Sequence, residues 1–151
     1  MFLKEKIKKI FKQALSSDFT AQKLAQSFAI GLYIAFSPFP GAHTIMVLTA
    51  KWLFRLNLPI VFIASSLNNP WTIIPFFTGD YMFGHWLIHN VFHWHPTFII
   101  PLAKIFGSGQ ICLCSFLIGG NILGICAAFL SYPFVKVVFR KLMARQALKA
   151  E

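Results

Sequence analysis

The sequence predicts an all-α integral membrane protein, and three features of its composition lead to this fold class. Of its 151 residues, 57% are hydrophobic and only 12% are charged, whereas a soluble domain has about 25% charged residues. Fourteen lysines and arginines outnumber four acids and gather near the two ends of the chain. Four long stretches contain no Asp, Glu, Lys or Arg: 24–50, 56–79, 81–103 and 105–135. So few charges cannot cover a water-soluble fold, and lipid removes that need.

The length suits a single membrane domain, over residues 20–140, with a basic segment at each end. Residues 1–19 place apolar side chains on one helical face and lysines on the other, which predicts an amphipathic helix on the surface of an anionic membrane. Packing of that helix against another protein is the alternative. Residues 141–151 are predicted to form a basic tail. The positive-inside rule places both termini in the cytoplasm.

Prolines interrupt the first apolar stretch. A helix over residues 24–36 leads into SPFPG (37–41), where two prolines and a glycine break an α-helix. The first half reaches only about 20 Å of a hydrocarbon core about 30 Å thick. The stretch is therefore either one kinked span or a re-entrant hairpin. Lys23 before it and Lys51 and Arg55 after it favour the hairpin, because both ends then stay in the cytoplasm.

The second apolar stretch has the same design. LPIVFIASSL (58–67) is followed by NNPWT (68–72) and IIPFFTG (73–79). Asn69-Pro70 is typical of a helix start, because Asn can cap free N–H groups and Pro fits the first turn. Ser37-Pro38 gives a weaker signal of the same kind. The pattern predicts two broken, re-entrant-like helical hairpins.

A histidine-rich helix is predicted after the second break. His85, His89 and His93 recur every four residues, so they would stack on one helical face. Interfacial packing is favoured for them over metal binding or proton relay. Either residues 56–79 cross as a broken helix while 81–103 lie at the outer interface, or 81–103 cross. Asp80, beside these segments, is interpreted as a membrane boundary, with proton coupling as the alternative.

The last apolar stretch predicts one full transmembrane helix over residues 111–135. Gly120 and Gly124 form a GxxxG pair that permits close helix contact. Because so short a chain is unlikely to enclose a path alone, a homo-oligomer through this glycine face is expected. Three cysteines without CxxC spacing indicate packing residues rather than a disulfide framework or a zinc site.

Residues 24–84 also carry a family resemblance. The motifs are an AxG start (Ala29, Gly31), a PxPG break (Pro38, Pro40, Gly41) and a basic residue before NxP (Arg55, Asn57, Pro59). They are followed by an NPxTxxP segment (Asn69, Pro70, Thr72, Pro75) and a closing Tyr and Gly (Tyr81, Gly84). Together with GG (119–120) and SYPF (131–134), they resemble the prokaryotic family filed as domain of unknown function 2062. The resemblance implies a protein of the bacterial inner membrane and carries no activity over to this chain.

The two breaks are the candidate site. Unwound backbone inside a bilayer must be buried in protein or line a cavity, and helix amino ends attract anions. The sequence predicts that both breaks meet and bind an anionic solute or lipid head group. The predicted binding residues are Ser37, Pro38, Pro40, Gly41, His43, Thr44, Arg55, Asn57, Asn68, Asn69, Pro70 and Thr72.

Transport or translocation of that anionic group is the predicted function, and membrane lipids are the predicted partners. The alternative is a non-transporting scaffold or accessory subunit, in which the loops at the breaks only cap one another. No catalytic motif or carboxylate pair indicates an enzyme. Neither a cofactor nor a metal is expected. Nucleic acid is not an expected partner, because the basic ends flank apolar stretches.

Overall fold

Five α-helices form the described part of the chain in a computed structural model that describes residues 19–39, 41–69, 71–93, 99–100 and 111–148. The helices are α1 (Ala21–Phe36), α2 (His43–Phe54), α3 (Leu58–Ser65), α4 (Ile73–Asn90) and α5 (Leu113–Ala147). Two short strands, β1 (Ile99–Ile100) and β2 (Ile111–Cys112), pair antiparallel, with Ile99 opposite Cys112 and Ile100 opposite Ile111. The helical fold class is confirmed, whereas the helix predicted over 1–19 lies almost entirely outside the described residues.

The long helix α5 is the axis of the molecule. Its carboxyl-terminal half packs antiparallel against α1: Gly124 lies against Tyr33 near the end of α1, and Phe139 shares a buried cluster with Leu24 near its start. At 1.5 Å per residue, α1 is about 24 Å long and α5 about 52 Å. Helix α1 therefore covers about half of α5.

Helix α4 covers the other half of α5. A Cβ atom on Gly84 would overlap the backbone of Ser115, and one on Gly119 would overlap the backbone carbonyl of Asp80. The two backbones thus touch without intervening side chains, as small residues allow in close helix pairs. Because α4 is about 27 Å long and also runs antiparallel to α5, α1 and α4 lie end to end along it.

Helices α2 and α3 form a hairpin beside α1. Helix α2 returns along α1, since the Lys23 side chain donates to the carbonyl of Phe54 at 3.0 Å. Helix α3 then runs parallel to α1 and comes so close that a Cβ on Gly31 would lie 2.5 Å from the carbonyl oxygen of Val61. The hairpin turn passes through Arg55, which has a left-handed conformation (φ 50°).

All the lysines and arginines of the described residues lie at one end of the molecule, called the basic end below. Lys23 is at the start of α1 and contacts the last residue of α2. The others stand at the end of α2 or on the last part of α5, around the cluster of Leu24 and Phe139. The full set is Lys23, Lys51, Arg55, Lys136, Arg140, Lys141 and Arg145. The only acid of the described residues, Asp80, lies on α4, beyond the end of α1.

The surface of the bundle is strongly apolar. Many large hydrophobic side chains are exposed, among them Trp52 (81%), Trp71 (91%) and Leu130 (77%). Apolar surface of this extent marks a membrane or protein contact. Among the described residues, Leu113–Ala147 is the one helix long and apolar enough to cross a membrane, by length and composition alone.

Several helix boundaries differ from the sequence prediction. Regular helices begin at His43 and Ile73, not at Ser37-Pro38 and Asn69-Pro70. Helix α4 continues from Ile73 to Asn90, so residues 73–79 and 81–90 belong to one helix, which packs on α5 around Gly84. Helix α5 likewise continues past residue 135 to Ala147, through the basic segment.

Candidate functional site

The two helix breaks meet at the end of α1. The Asn68 side chain, in the second break, donates from Nδ2 to the carbonyl oxygen of Ala35 at 2.7 Å. The ring of Phe36, the last residue of α1, lies 4.8 Å from that of Phe76 in the first turn of α4. Since helix carbonyls near a carboxyl end lack partners within the helix, Asn68 satisfies one of them. This contact joins the breaks.

Asp80 reaches the same place from α4. A Cβ on Gly120 would lie 2.9 Å from the Phe36 carbonyl oxygen and 3.3 Å from both Asp80 Oδ2 and Pro38 Cδ. The carboxyl group, the end of α1 and the first break therefore converge on Gly120. We call this meeting point the junction and define it by Phe36, Pro38, Asn68, Asp80 and Gly120.

Unsatisfied polar atoms gather around the junction. In the described part of the chain, five buried side-chain atoms have no hydrogen-bond partner: His43 Nε2, Asn68 Oδ1, both carboxyl oxygens of Asp80, and Ser115 Oγ. His43 begins α2, directly after the first break, and its ring faces the backbone of Ile34. Ser115 lies one turn before Gly119 in the contact of α4 with α5. Buried polar groups are normally paired, so these atoms could bind water or a polar ligand.

Asn69 and Thr72 cap the second break. Asn69 Oδ1 accepts hydrogen bonds from the backbone N–H groups of Trp71 (2.9 Å) and Thr72 (3.1 Å). The Thr72 hydroxyl donates to the carbonyl of Leu67 at 2.6 Å and accepts from the Asn69 N–H at 2.9 Å. Asn69 thus has the capping role that the sequence predicted, although the regular helix starts only at Ile73. Both side chains therefore form their hydrogen bonds within the loop.

The other residues predicted in the first break have mixed positions. Ser37 is buried, and its hydroxyl contacts Met46 Sδ at 3.5 Å. Gly41 is exposed with φ 88°, a conformation that glycine adopts without strain. Thr44 is exposed on α2. Pro40 and Pro70 lie outside the described residues.

Arg55 and Asn57 are not at the breaks. Asn57 caps the start of α3 by accepting from the Ile60 N–H (3.3 Å), and its own N–H donates to Ser27 Oγ (2.9 Å). Ser27 precedes Ala35 by eight residues of α1, which is about 12 Å of helix. The structure therefore does not bring Arg55 and Asn57 together with the two breaks. Turn chemistry explains their pattern: Arg55 ends α2 and Asn57 starts α3.

The histidine stripe is shorter than predicted. The rings of His85 and His89 lie 4.0 Å apart, and His89 Nδ1 contacts the His85 carbonyl at 3.0 Å. Helix α4 ends at Asn90, however, and His93 has a positive φ of 49° beyond it. Three histidines therefore do not share one helical face. Among the described residues, no group of three His, Cys, Asp or Glu side chains could hold a metal.

Sequence reasoning missed two features of the junction. Asp80 is completely buried within the bundle, and Ser115 was not considered at all. Asp80 had a signal, because it is the only acid between residues 18 and 151 and an ionisable residue in an apolar stretch is a functional candidate. Ser115 had none, since a single serine in an apolar helix is common.

The Gly120–Gly124 face is occupied within the chain. Gly124 lies against Tyr33 and Phe36, and Gly120 against the end of α1. The Tyr33 hydroxyl adds a hydrogen bond to Asn121 Oδ1 at 2.7 Å. Within the chain, α1 therefore fills the groove beside Gly120 and Gly124.

The fold and the junction define a class: an all-helical protein with interrupted helices around one helix that could cross a membrane, and with a buried polar site where the interruptions meet. The chain belongs to the bacterial family described as "Uncharacterized protein conserved in bacteria (DUF2062)", which it matches over residues 4–147. This match confirms the family resemblance of the sequence. No curated protein and no solved structure matches the chain.

Proposed function

We propose that this chain is a multi-pass protein of the bacterial inner membrane that carries a polar solute across the bilayer through the junction. Several buried hydrogen-bonding atoms at the junction have no partner, and the proposal rests on them. A polar group at membrane depth needs protein partners, water or a ligand. Transporters use interrupted helices in this way, with the binding site where the interruptions meet.

The position of the junction along α5 supports a site at membrane depth. Gly120 and Gly124 lie near the middle of the apolar stretch 111–135, and the basic end lies at the carboxyl-terminal end of that stretch. With the basic end in the cytoplasm, α1 and α2 would be a re-entrant hairpin, α3 and α4 a broken crossing, and α5 the return crossing. Both termini are then cytoplasmic.

The solute that we propose is an anion or an anionic lipid head group. The amino ends of α2 and α4 border the junction, and such ends carry partial positive charge. His43, at the start of α2, offers a further unpartnered nitrogen. The cations of the basic end would attract anions toward the membrane rather than hold them at the site, because Arg55 is remote from the junction.

Water access to the junction tests the proposal. In a variant whose native cysteines are replaced by alanine, one cysteine is introduced at Asn68 or, as a control of similar depth, at Ile125, which is exposed on the apolar face of α5. Membranes are then treated with a charged, hydrophilic thiol reagent. We expect Asn68→Cys to react at least about tenfold faster than Ile125→Cys, because ionised reagents and thiolates require water.

Equal, slow labelling of both cysteines would contradict transport and support the scaffold alternative. In that case the hydrogen bonds of Asn69 and Thr72 would close a dry loop. Circular dichroism of both purified variants controls for folding, since Asn68→Cys removes the bond to Ala35.

A further inference from the structure

The groups around the Asp80 carboxyl do not neutralise a negative charge. Asp80 is 0% exposed, and neither of its oxygens has a hydrogen-bond partner. Its Oδ2 lies beside Gly120, as do the Phe36 carbonyl oxygen at the end of α1 and the ring of Pro38. A helix carboxyl end carries partial negative charge. An ionised carboxylate in such a place is costly, because burial removes water and nothing replaces it.

No lysine or arginine of the neighbouring helices reaches the carboxyl. On α1, Lys23 is at the basic end and binds Phe54. On α5, the first basic residue is Lys136, which follows Gly120 by about 24 Å of helix. Other titratable side chains on the elements around the junction are Tyr33, His43, Tyr81, His85, Cys112 and Cys114. Tyr33 donates to Asn121, and Tyr81 stacks on His85 at 5.8 Å.

We infer that Asp80 takes up and releases a proton in each transport cycle, an inference that rests on the transport function proposed above. Uptake forms an O–H bond at one carboxyl oxygen and makes the group neutral. Release to water on the other side breaks that bond and restores the carboxylate. The protonated group is neutral and needs no compensating charge, whereas the ionised group requires water in the junction.

A proton fits this site better than a metal ion. Hard cations bind through several oxygen ligands, commonly carboxylates. Within the described residues, Asp80 is the only acid, and no cluster of three metal-binding side chains is present. One proton neutralises the carboxyl without further ligands.

Coupling to an anion follows from the same geometry. An anion at the amino ends of α2 and α4 would be repelled by an ionised Asp80 and tolerated by a neutral one. The proton would therefore enter with the anion, and the two would move in the same direction.

Infrared difference spectroscopy tests the proton site directly. Purified protein in vesicles of phosphatidylethanolamine and phosphatidylglycerol is compared in acid and alkaline buffer. We expect the C=O band of a protonated carboxyl to appear in acid and to vanish in alkali. Asp80→Asn should lose one such band, and Asp80→Glu should keep a titrating band. Glu5, Asp18 and Glu151 remain in every variant and cancel in the comparison.

Glycine variants link the titration to the junction. Gly120→Ala would place a methyl group 2.9 Å from the Phe36 carbonyl oxygen and 3.3 Å from Asp80 Oδ2, whereas Gly79→Ala meets nothing within 4 Å. We expect Gly120→Ala to move the titration to higher pH, because the methyl occupies space that water would need in order to solvate the ionised carboxylate, and Gly79→Ala to leave it in place.

Three results would overturn the inference. The first is an Asp80 band that persists unchanged in alkali, which means a permanently neutral structural residue. The second is a wild-type titration identical to that of Asp80→Asn. The third is a titration that depends on sodium or potassium, which assigns the site to that cation. Labelling of Asn68→Cys with no Asp80 titration would reject only the proton site, whereas titration without labelling would reject transport.

Discussion

Asparagines that each stand near a proline in the sequence have different surroundings in the fold. Asn68 and Asn69 are adjacent, yet Asn68 reaches across to Ala35 of α1 while Asn69 caps its own loop. Asn57 caps α3 at the basic end. A motif match alone does not separate these roles, because each is an asparagine near a proline. The partner across the fold decides the role.

The bond from Asn68 to Ala35 can be measured against a matched control. Asn68→Ala removes a partly buried, long-range hydrogen bond and should lower the free energy of unfolding by about 1 kcal/mol. Asn90→Ala removes a bond of the same type, from Nδ2 to the Trp86 carbonyl at 3.0 Å, but it is exposed and local. Its cost should stay below about 0.5 kcal/mol. Denaturation in mixed detergent micelles, followed by circular dichroism, gives both values; equal losses would mean that the breaks are not joined by Asn68.

At the element scale, the helix pairs depend on glycine. The backbones of helices α4 and α5 touch at Gly84 and Gly119. Because only glycine leaves room for this contact, these two glycines set the register between the helices. This register carries Asp80 to the junction.

Alanine at Gly84 should separate α4 from α5. Its methyl would overlap the backbone of Ser115, which cannot move without shifting α5, so we expect a loss of about 3 kcal/mol or more. Gly79→Ala, on the open face of the same helix, should be neutral or stabilising by up to about 1 kcal/mol, because alanine favours helix. Thermal unfolding in detergent distinguishes the two. Similar melting temperatures for both variants would contradict the close packing of α4 on α5.

Local sequence signals predicted the turns of the structure but not the contacts of the site. Prolines 38 and 40, Gly41 and Asn69 mark local turn chemistry, and the regular helices α1 and α2 stop and start on either side of the first break. The site itself depends on contacts between distant segments. Asp80 meets Gly120 across forty residues of sequence, and no local pattern encodes that register. For the same reason the sequence did not show that Arg55 and Asn57 lie away from the breaks.

In the molecule as a whole, the positive charge is confined to one end. The basic end contains every lysine and arginine of the described residues, whereas exposed apolar side chains lie along the whole described bundle. For a membrane protein this arrangement gives orientation, because lysine and arginine are retained on the cytoplasmic side. The junction then lies about one length of α1, about 24 Å, from the start of that helix.

Tryptophan quenching tests this depth. Trp71 is 91% exposed beside the junction, and Trp52 is 81% exposed near the basic end. In vesicles of lipids brominated at defined positions, a variant with only Trp71 should be quenched most by bromine deep in the acyl chains. A variant with only Trp52 should be quenched most by bromine near the head groups. The reverse order would place the breaks outside the hydrocarbon core and remove the site from membrane depth.

The length of α5 has a mechanical consequence. At about 52 Å it exceeds a hydrocarbon core of about 30 Å, so in a membrane its last turns would extend past the core on the side of the basic end. There Leu142 and Met143 still pack against the cluster of Leu24 at the start of α1. Because α1 ends at Phe36 and α5 contains Gly120, a tilt of this end of the bundle would reach the Asp80 carboxyl group through two continuous helices and no loop.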